Sequence, residues 1–463
     1  MNKFLFTITI LFFLYFSVVC FYYIMMGILG IFESRRRFGQ DLAEDYNVFG
    51  NTRFTIPISF IIPAHNEEAW IADCLLSVLN INYPEFEVIV VNDGSTDKTF
   101  EILNKILDLE SINTPYIDNF KMGRLKGLFK SRRYPYVTVM NKESGYKKAG
   151  ALNAGLNLAK YKYICIMDAD TIIEPDAVLK VMAHVQKDPE SIIGAGSYFG
   201  LVNGFKIKEG KIIERNFTSR PLIAYQNLEY IRSFIGNRIT WSKLNSTAIV
   251  SGGFGIWRRD VVRELGGFSP NYSSEDLEFT FRAYDYIIKN HKNSKILMLP
   301  YCVGWTAAPI NIRGLIKQRD RWQRVTDEAV KDYWHMFFNP RYGAMGLVVF
   351  PYYFFYEVLG AFFEFSSILL LITGMIFKAV NLNLIFALFL FMILTQTSIS
   401  LLYLFIFNRI QKFMPASYII YLGFLSFFEF FWYRWIIIIA KLKGTYKFLM
   451  GVRTHDQVAK KSI

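Results

Sequence analysis

Cysteine and histidine are scarce in this chain. Its 463 residues hold four cysteines, Cys20, Cys74, Cys165 and Cys302, far apart and without a CxxC pair. That spacing excludes a disulfide scaffold and fits buried thiols in a reducing cytosol. Five scattered histidines give no zinc spacing. Neither an internal repeat nor a low-complexity tract is visible. Charge of either sign is missing from residues 4 to 32, FLFTITILFFLYFSVVCFYYIMMGILGIF. Such a run crosses about 30 Å of hydrocarbon at about 1.5 Å per residue and predicts a transmembrane helix. The shorter apolar core and small-residue cleavage site of a signal peptide are both absent. The run stops at ESRRR, and Arg35, Arg36 and Arg37 place that end in the cytoplasm by the positive-inside bias.

What the chain has in excess is apolar surface: 52% of its residues, with 44 Phe and 28 Tyr, more than a soluble core needs. Length allows two or three domains. Residues 343 to 440 are apolar again, and the tail after Ala440 is basic, so it too is expected in the cytoplasm. An even number of later spans follows. Four short spans, broken near Pro351 and at residues 380 to 383, are favoured over two long ones with interfacial helices. Glu357 and Glu364, seven apart, share one face of a continuous helix and either line a polar path or pair with a group such as Arg434. The net charge of +13 is read as lysine and arginine facing anionic lipid, not nucleic acid.

Between residues 55 and 335 the composition is that of a soluble domain. Strand-like runs at 58–62, 86–91, 136–140 and 163–167 alternate with helix-like segments at 67–79, 97–108 and 175–186. This alternation predicts a parallel sheet covered by helices, with ligands beyond the carboxyl ends of the strands. Polar chemistry follows three of the strands there: PAHNE, NDGSTD and DAD. The basic stretch KMGRLKGLFKSRRYPY, residues 121–136, is expected outside the sheet as a loop or short helix.

The stretch ICIMDADTI, residues 164 to 172, drives an apolar strand into two aspartates. Residues two apart on a strand point the same way, so Asp168 and Asp170 can approach one hard cation, Mg²⁺ or Mn²⁺. The plainer alternative is an acidic turn. Plain alternatives also exist for Asp93, an Asp-Gly turn, and for Glu275, Asp276 and Glu278, the acidic first turn of a helix running to Arg282. Asp97 reads as the N-cap of a helix beginning at Lys98, and Trp322 taken alone as an interfacial anchor.

Taken together, SFIIPAHNEEAW, VIVVNDGSTDKT, GYKKAGALNAGL, the aspartate pair, SSEDLEFTFR and KQRDRWQR resemble, in order and spacing, the processive glycosyltransferases of family 2. That family includes cellulose, chitin, hyaluronan and poly-N-acetylglucosamine synthases. SGGFGIWRRD, ELGGF and FNPRYG look most like bacterial synthases of the last type. The resemblance implies an α/β GT-A (Rossmann-like) cytosolic domain, residues 34–336, inserted between an N-terminal transmembrane helix, 1–33, and C-terminal transmembrane or interfacial helices, 337–440, with a basic tail, 441–463.

It further implies roles. Glu67 and Asp93 match positions that hold the uracil and ribose of a nucleotide sugar. Lys148, with Lys147 as the alternative, and Asn153 match the segment at diphosphate and donor sugar. Asp168 and Asp170 match the metal pair, and Asp276 the general base, with Ser274 where the family usually has threonine. Gln318, Arg321 and Trp322 match the elongation signature, Arg321 toward diphosphate and Gln318, Trp322 and Glu275 toward the acceptor; Val325 stands where glycine is common. FLMGVRTHD suggests a gating segment in which Arg453 and Thr454 reach the diphosphate. The expected protein is a multi-pass enzyme of the plasma membrane with a cytoplasmic catalytic domain. It uses a UDP-sugar, UDP-N-acetylglucosamine before UDP-glucose, to extend a β-linked polysaccharide with inversion and to pass it outward. Its rivals are transfer of one sugar to a lipid, and a transporter or scaffold with an inactive nucleotide-binding domain.

Overall fold

Apolar runs of strand length build one ten-stranded sheet, and the polar residues that follow them gather at its rims. The computed structural model describes residues 2–42, 46, 55–113, 119–120, 122–290, 293–377 and 382–452. The chain divides into a sheet unit, the described parts of Gly39–Thr218 and Asn245–Ala308, and a helical unit, the described parts of Met1–Phe38, Ser219–Leu244 and Pro309–Val458. The segment 219–244 and the helix Ile312–Asp332, both inside the stretch 34–336, therefore group with the helices.

In the sheet unit the strands are β1 (Ile58–Ala64), β2 (Phe86–Asp93), β3 (Leu109–Ile112), β4 (Leu125–Ser131), β5 (Val137–Lys142), β6 (Tyr163–Ile166), β7 (Thr171–Ile173), β8 (Ile192–Leu201), β9 (Lys206–Lys208), β10 (Lys211–Glu214), β11 (Gly255–Arg258) and β12 (Lys295–Thr306). All but β9 and β10, which form a separate hairpin, join in the order β3-β4-β5-β2-β1-β6-β11-β8-β12-β7. The parallel block β5-β2-β1-β6 is the expected doubly covered core. Every residue of β1 is buried, as strands covered on both faces require. Phe60, Ile62, Val88, Val90, Val137 and Val139 pack in one cluster with Cys74, Leu75 and Val78 of the helix Ile71–Leu79.

Two expectations are corrected here. The sheet is mixed rather than parallel, since β3-β4, β4-β5, β6-β11, β11-β8 and β12-β7 run antiparallel. The basic stretch is not outside it: residues 125–131 are β4, paired with β5 on one side and β3 on the other. Its lysines and glycine interrupt the apolar alternation, and they fit a strand that is only partly buried.

The helical unit contains two unbroken helices of spanning length and composition, Ile10–Arg36 and Ile385–Ile410. Two bent pairs, Met345–Val358 with Gly360–Ile376 and Ala416–Phe431 with Tyr433–Leu449, pass the same test. Among the described residues this gives at most three candidates after the first helix, where four spans are expected. Pro351 does not break the chain as anticipated, because π turns at Met345–Val349 and Tyr353–Val358 flank it and the bend falls at Leu359 instead. Both carboxylates of that stretch are paired: Glu357 with Lys441 at 2.6 Å, and Glu364 with Arg434. Arg453 and Thr454 lie outside the described residues.

Candidate functional site

The carboxyl ends of β1, β2, β5 and β6 open on one rim of the sheet unit, because the four strands run in the same direction. The loops leaving β1 and β2 are tied to each other there. Asn66 donates its backbone N–H to Ser95 Oγ at 3.0 Å and accepts from Thr96 N at 2.8 Å, and the Glu67 backbone N–H reaches Thr99 Oγ1 at 2.9 Å. Asp97 accepts from Thr99 N at 3.0 Å and from Glu68 N at 3.0 Å; the helix begins at Thr99 with Lys98 as its N-cap, so Asp97 stands one residue before the cap position expected for it. His65 Nδ1 sits 2.5 Å from the Asp93 carbonyl oxygen.

Asp93 closes β2 beside Lys142, its lateral neighbour on β5, and the two side chains form an ion pair. Gly94 follows at φ +62°, the left-handed turn that glycine permits without strain. Burial pushes the Asp93 carboxyl up, against the opposing pull of Lys142 and then His65. Lys142 donates also to the carbonyl oxygens of Glu143 at 2.9 Å and Gly145 at 3.5 Å. The chain then passes through Tyr146 and Lys147 at φ +62° and +55°, a conformation that costs non-glycine residues energy and tends to persist at working sites.

That turn delivers Lys148 into the second cluster. Its ammonium lies 2.5 Å from Asp168 and 2.7 Å from Glu275. Burial alone would lower the Lys148 pKa, but the two carboxylates outweigh it and hold it above the ordinary lysine range. Burial pushes Glu275 up, opposed by Lys148. Gly252 makes room for this triad: a Cβ there would come 2.6 Å from Lys148 Nζ and 2.9 Å from Glu275 Oε1. Asp170 is buried in the turn just before β7 and accepts from Thr306 Oγ1 at 3.4 Å.

Asp276 stands in the first turn of the helix Glu275–Asn290, where the helix dipole favours acids. It accepts from Ser274 Oγ at 3.0 Å, Leu277 N at 2.9 Å and Gly252 N at 3.3 Å. The hydroxyl that Ser274 retains is thus in use. Asp276 and Glu275 line a small hollow together with Ile166, Val250, Trp257, Phe268 and Phe279. Asn153 is buried and clasps one residue, donating to the Phe268 carbonyl at 2.9 Å and accepting from Phe268 N at 2.8 Å. Its amide holds the Phe268 segment in place.

The structure therefore brings together Asp168, Lys148, Glu275 and Asp276, with Gly252 between them, and sets Asp93 at the end of β2 and Glu67 in the loop that follows the neighbouring β1. Gln318, Arg321 and Trp322 lie on the helix Ile312–Asp332 of the helical unit. There Gln318 accepts from Arg319 at 3.3 Å, and the Arg319 guanidinium lies 4.1 Å over the Trp322 ring, which is 37% exposed. Lys142 and Gly252 escape sequence reasoning: one reads as a loop residue just past a strand, the other as one glycine in a run of small residues. No three His, Cys, Asp or Glu among the described residues group as a metal cage. Asp168 and Asp170 lie in the turn between β6 and β7 and not on one face of a strand as expected; they are carboxylates of the kind that Mg²⁺ or Mn²⁺ takes one or two at a time, with substrate phosphate and water filling the shell.

The chain matches the model of "Glycosyl transferase family 2" over residues 59–266 and that of "Glycosyl transferase family group 2" over residues 163–428. It is 30% identical over 281 residues to a poly-beta-1,6-N-acetyl-D-glucosamine synthase of Staphylococcus epidermidis, covering 60% of this chain and 56% of that protein. It is 27% identical over 287 residues to the probable glycosyltransferase YdaM of Bacillus subtilis, covering 61% and 58%. The match thus spans a little over half the length of these relatives. Among solved structures, a mannosyltransferase of Pyrobaculum calidifontis in complex with GDP-Man and Mn²⁺ superposes with a TM-score of 0.56 at 16% identity, over 94% of this chain and 98% of that one, a likeness of fold alone.

Proposed function

Because this chain belongs to glycosyl transferase family 2, its sheet unit having the GT-A fold, we propose that it is a membrane-embedded synthase that polymerises a β-linked polysaccharide from a UDP-sugar. UDP-N-acetylglucosamine is the first choice of donor and UDP-glucose the second, supported by the relatives named above. The observation that carries the reading is the set of charges at the sheet rim. Lys148 is held between Asp168 and Glu275, and Asp276 stands next to Glu275, anchored by three donors and bordering a hollow.

In this reading Asp93 and Glu67 receive the nucleoside, as acceptors for a uracil N–H and ribose hydroxyls. Lys148 turns its charge to the diphosphate. Asp276 accepts the proton of an acceptor hydroxyl, whose oxygen bonds to the anomeric carbon as the bond to the diphosphate oxygen breaks and UDP departs. A single displacement with one base inverts the anomeric centre. Asp168 and Asp170 would hold Mg²⁺ or Mn²⁺, which supplies positive charge to the leaving group. Gln318, Arg321 and Trp322 enter through the family signature alone, with Trp322 as a flat platform for the acceptor sugar. Arg319 already covers one face of that ring. Passage of the product through the protein's own helices, a plasma-membrane location and a cytoplasmic sheet unit complete the proposal.

The test is incubation of membranes holding the protein with single radiolabelled UDP-sugars and Mg²⁺ or Mn²⁺, with and without chelator. High-molecular-weight product from one donor, lost with chelator and with Asp276→Asn, is the expected result. A lipid-linked monosaccharide overturns the polymer, and equal product from wild type and Asp276→Asn overturns the base.

A further inference from the structure

A lysine with no solvent exposure is rare, since an unpaired ammonium cannot leave water without large cost. Lys142 is such a residue: its side chain is 0% exposed, and its ion-pair partner Asp93 is 7% exposed. It neither faces the diphosphate cluster nor belongs to a motif singled out in the sequence. From the reading above, in which Asp93 meets the nucleobase, we infer that Lys142 is a positioning residue that keeps Asp93 an anionic, acceptor-only group and thereby sets which base the site admits.

Three observations support this. The pairing is imposed by the sheet, because Asp93 and Lys142 are register partners in the parallel pair of β2 and β5 and their side chains emerge side by side. The lysine is fixed from its other side by the carbonyl oxygens of Glu143 and Gly145, so it cannot follow the carboxylate if that moves. Burial drives Asp93 toward its neutral form, and the charges facing it are Lys142 from β5 and His65 from the end of β1.

The chemistry gives the consequence. An ionised carboxylate only accepts hydrogen bonds, whereas a protonated one also donates. Uracil presents an N–H at N3, and cytosine presents a bare acceptor at the same position. With Lys142 in place the site takes uracil and rejects cytosine. Without it, Asp93 protonates at the acid end of the working range and offers cytosine the donor it needs.

Binding of UDP and of CDP to the purified full chain, both with Mn²⁺, should be measured from about pH 5.5 to 8.5. The ratio of the two constants removes the titration of the phosphates, and His65 is common to all proteins compared. Wild type and Lys142→Arg should prefer UDP by about tenfold or more at every pH, the scale of one charge-assisted hydrogen bond. Lys142→Met should lose that preference at the acid end and regain it as pH rises. Lys142→Gln, which still donates to the carboxylate without a charge, serves if Lys142→Met does not fold. A preference in the uncharged variant equal to wild type at every pH overturns the inference. Asp93→Asn separates this from the underlying reading: it should abolish the preference at all pH values, and if it does not, Asp93 does not read the base and both ideas fall together.

Discussion

Two charge clusters of the helical unit and the Lys148 cluster of the sheet unit hold charge differently. The first two close on themselves. Arg324 and Asp320, each 1% exposed, meet at 3.0 Å with Lys447 completing the set at 2.5 Å, and Glu429 takes Arg232 through two bonds of 2.8 Å. At the rim of the sheet unit one ammonium is divided between two carboxylates, and Lys148 and Asp168 keep 23% and 36% of their side chains exposed. A closed bidentate pair has its bonding capacity spent and serves position. A shared, partly wet one keeps acceptors for an arriving ligand. Buried charge alone is thus a poor marker of chemistry, and the informative feature is charge at a strand end that is paired but not sealed.

That contrast is open to attack by substitution. The largest effect is expected at the rim: Asp276→Asn should lower polymer synthesis about 10²- to 10⁴-fold, measured by labelled product, while UDP binding and melting temperature stay near wild type. The reverse is expected in the helical unit. Glu429→Ala leaves Arg232 buried without its partner and should cost about 3 to 5 kcal/mol of stability, read from unfolding in detergent. A loss of activity without a loss of stability there would erase the distinction.

A smaller effect concerns pH. Burial pushes the Asp327 carboxyl up to about 6, against the hydrogen bonds of Thr445 and Gln323. The folded state then binds the proton more tightly than the unfolded one. The stability this contributes is present below the ordinary carboxyl range and is lost as pH rises through about 6, amounting to at most about 2 to 3 kcal/mol. Asp327→Asn should flatten the dependence of unfolding on pH between about 4 and 7. The smallest effect is at Lys148. Lys148→Met should weaken UDP binding about tenfold with little change in melting temperature, and a large drop in stability would place its triad with the closed pairs instead.

Most of the parallel core was legible in the chain, because ISFII, FEVIVV and YICIM are predominantly apolar runs of the kind that doubly covered strands require. The limits of those runs were less legible. Reading β2 to residue 91 and β5 to residue 140 left Asp93 and Lys142 in loops, whereas both are the last residues of their strands and pair because of it. Strand β4 was hidden because its sequence, LKGLFKS, sets lysines and a glycine among few apolar residues, as its partial burial allows. The motif points Asn153 toward the donor, and the structure adds that both ends of its amide bond to Phe268, more than a hundred residues on, a contact that no local pattern announces.

The amino-acid order by itself determined the membrane-spanning run, the alternation of strand and helix, and the set of acidic residues at strand ends, because each follows from hydrophobicity and periodicity along neighbouring residues. Which lysine faces which carboxylate was decided only by the tertiary structure. Lys142 finds Asp93 through sheet register, and Lys148 meets Glu275 because Gly252 leaves the space. Those pairings join residues far apart in the chain, and only the assembled sheet and its packed helices bring them within bonding distance.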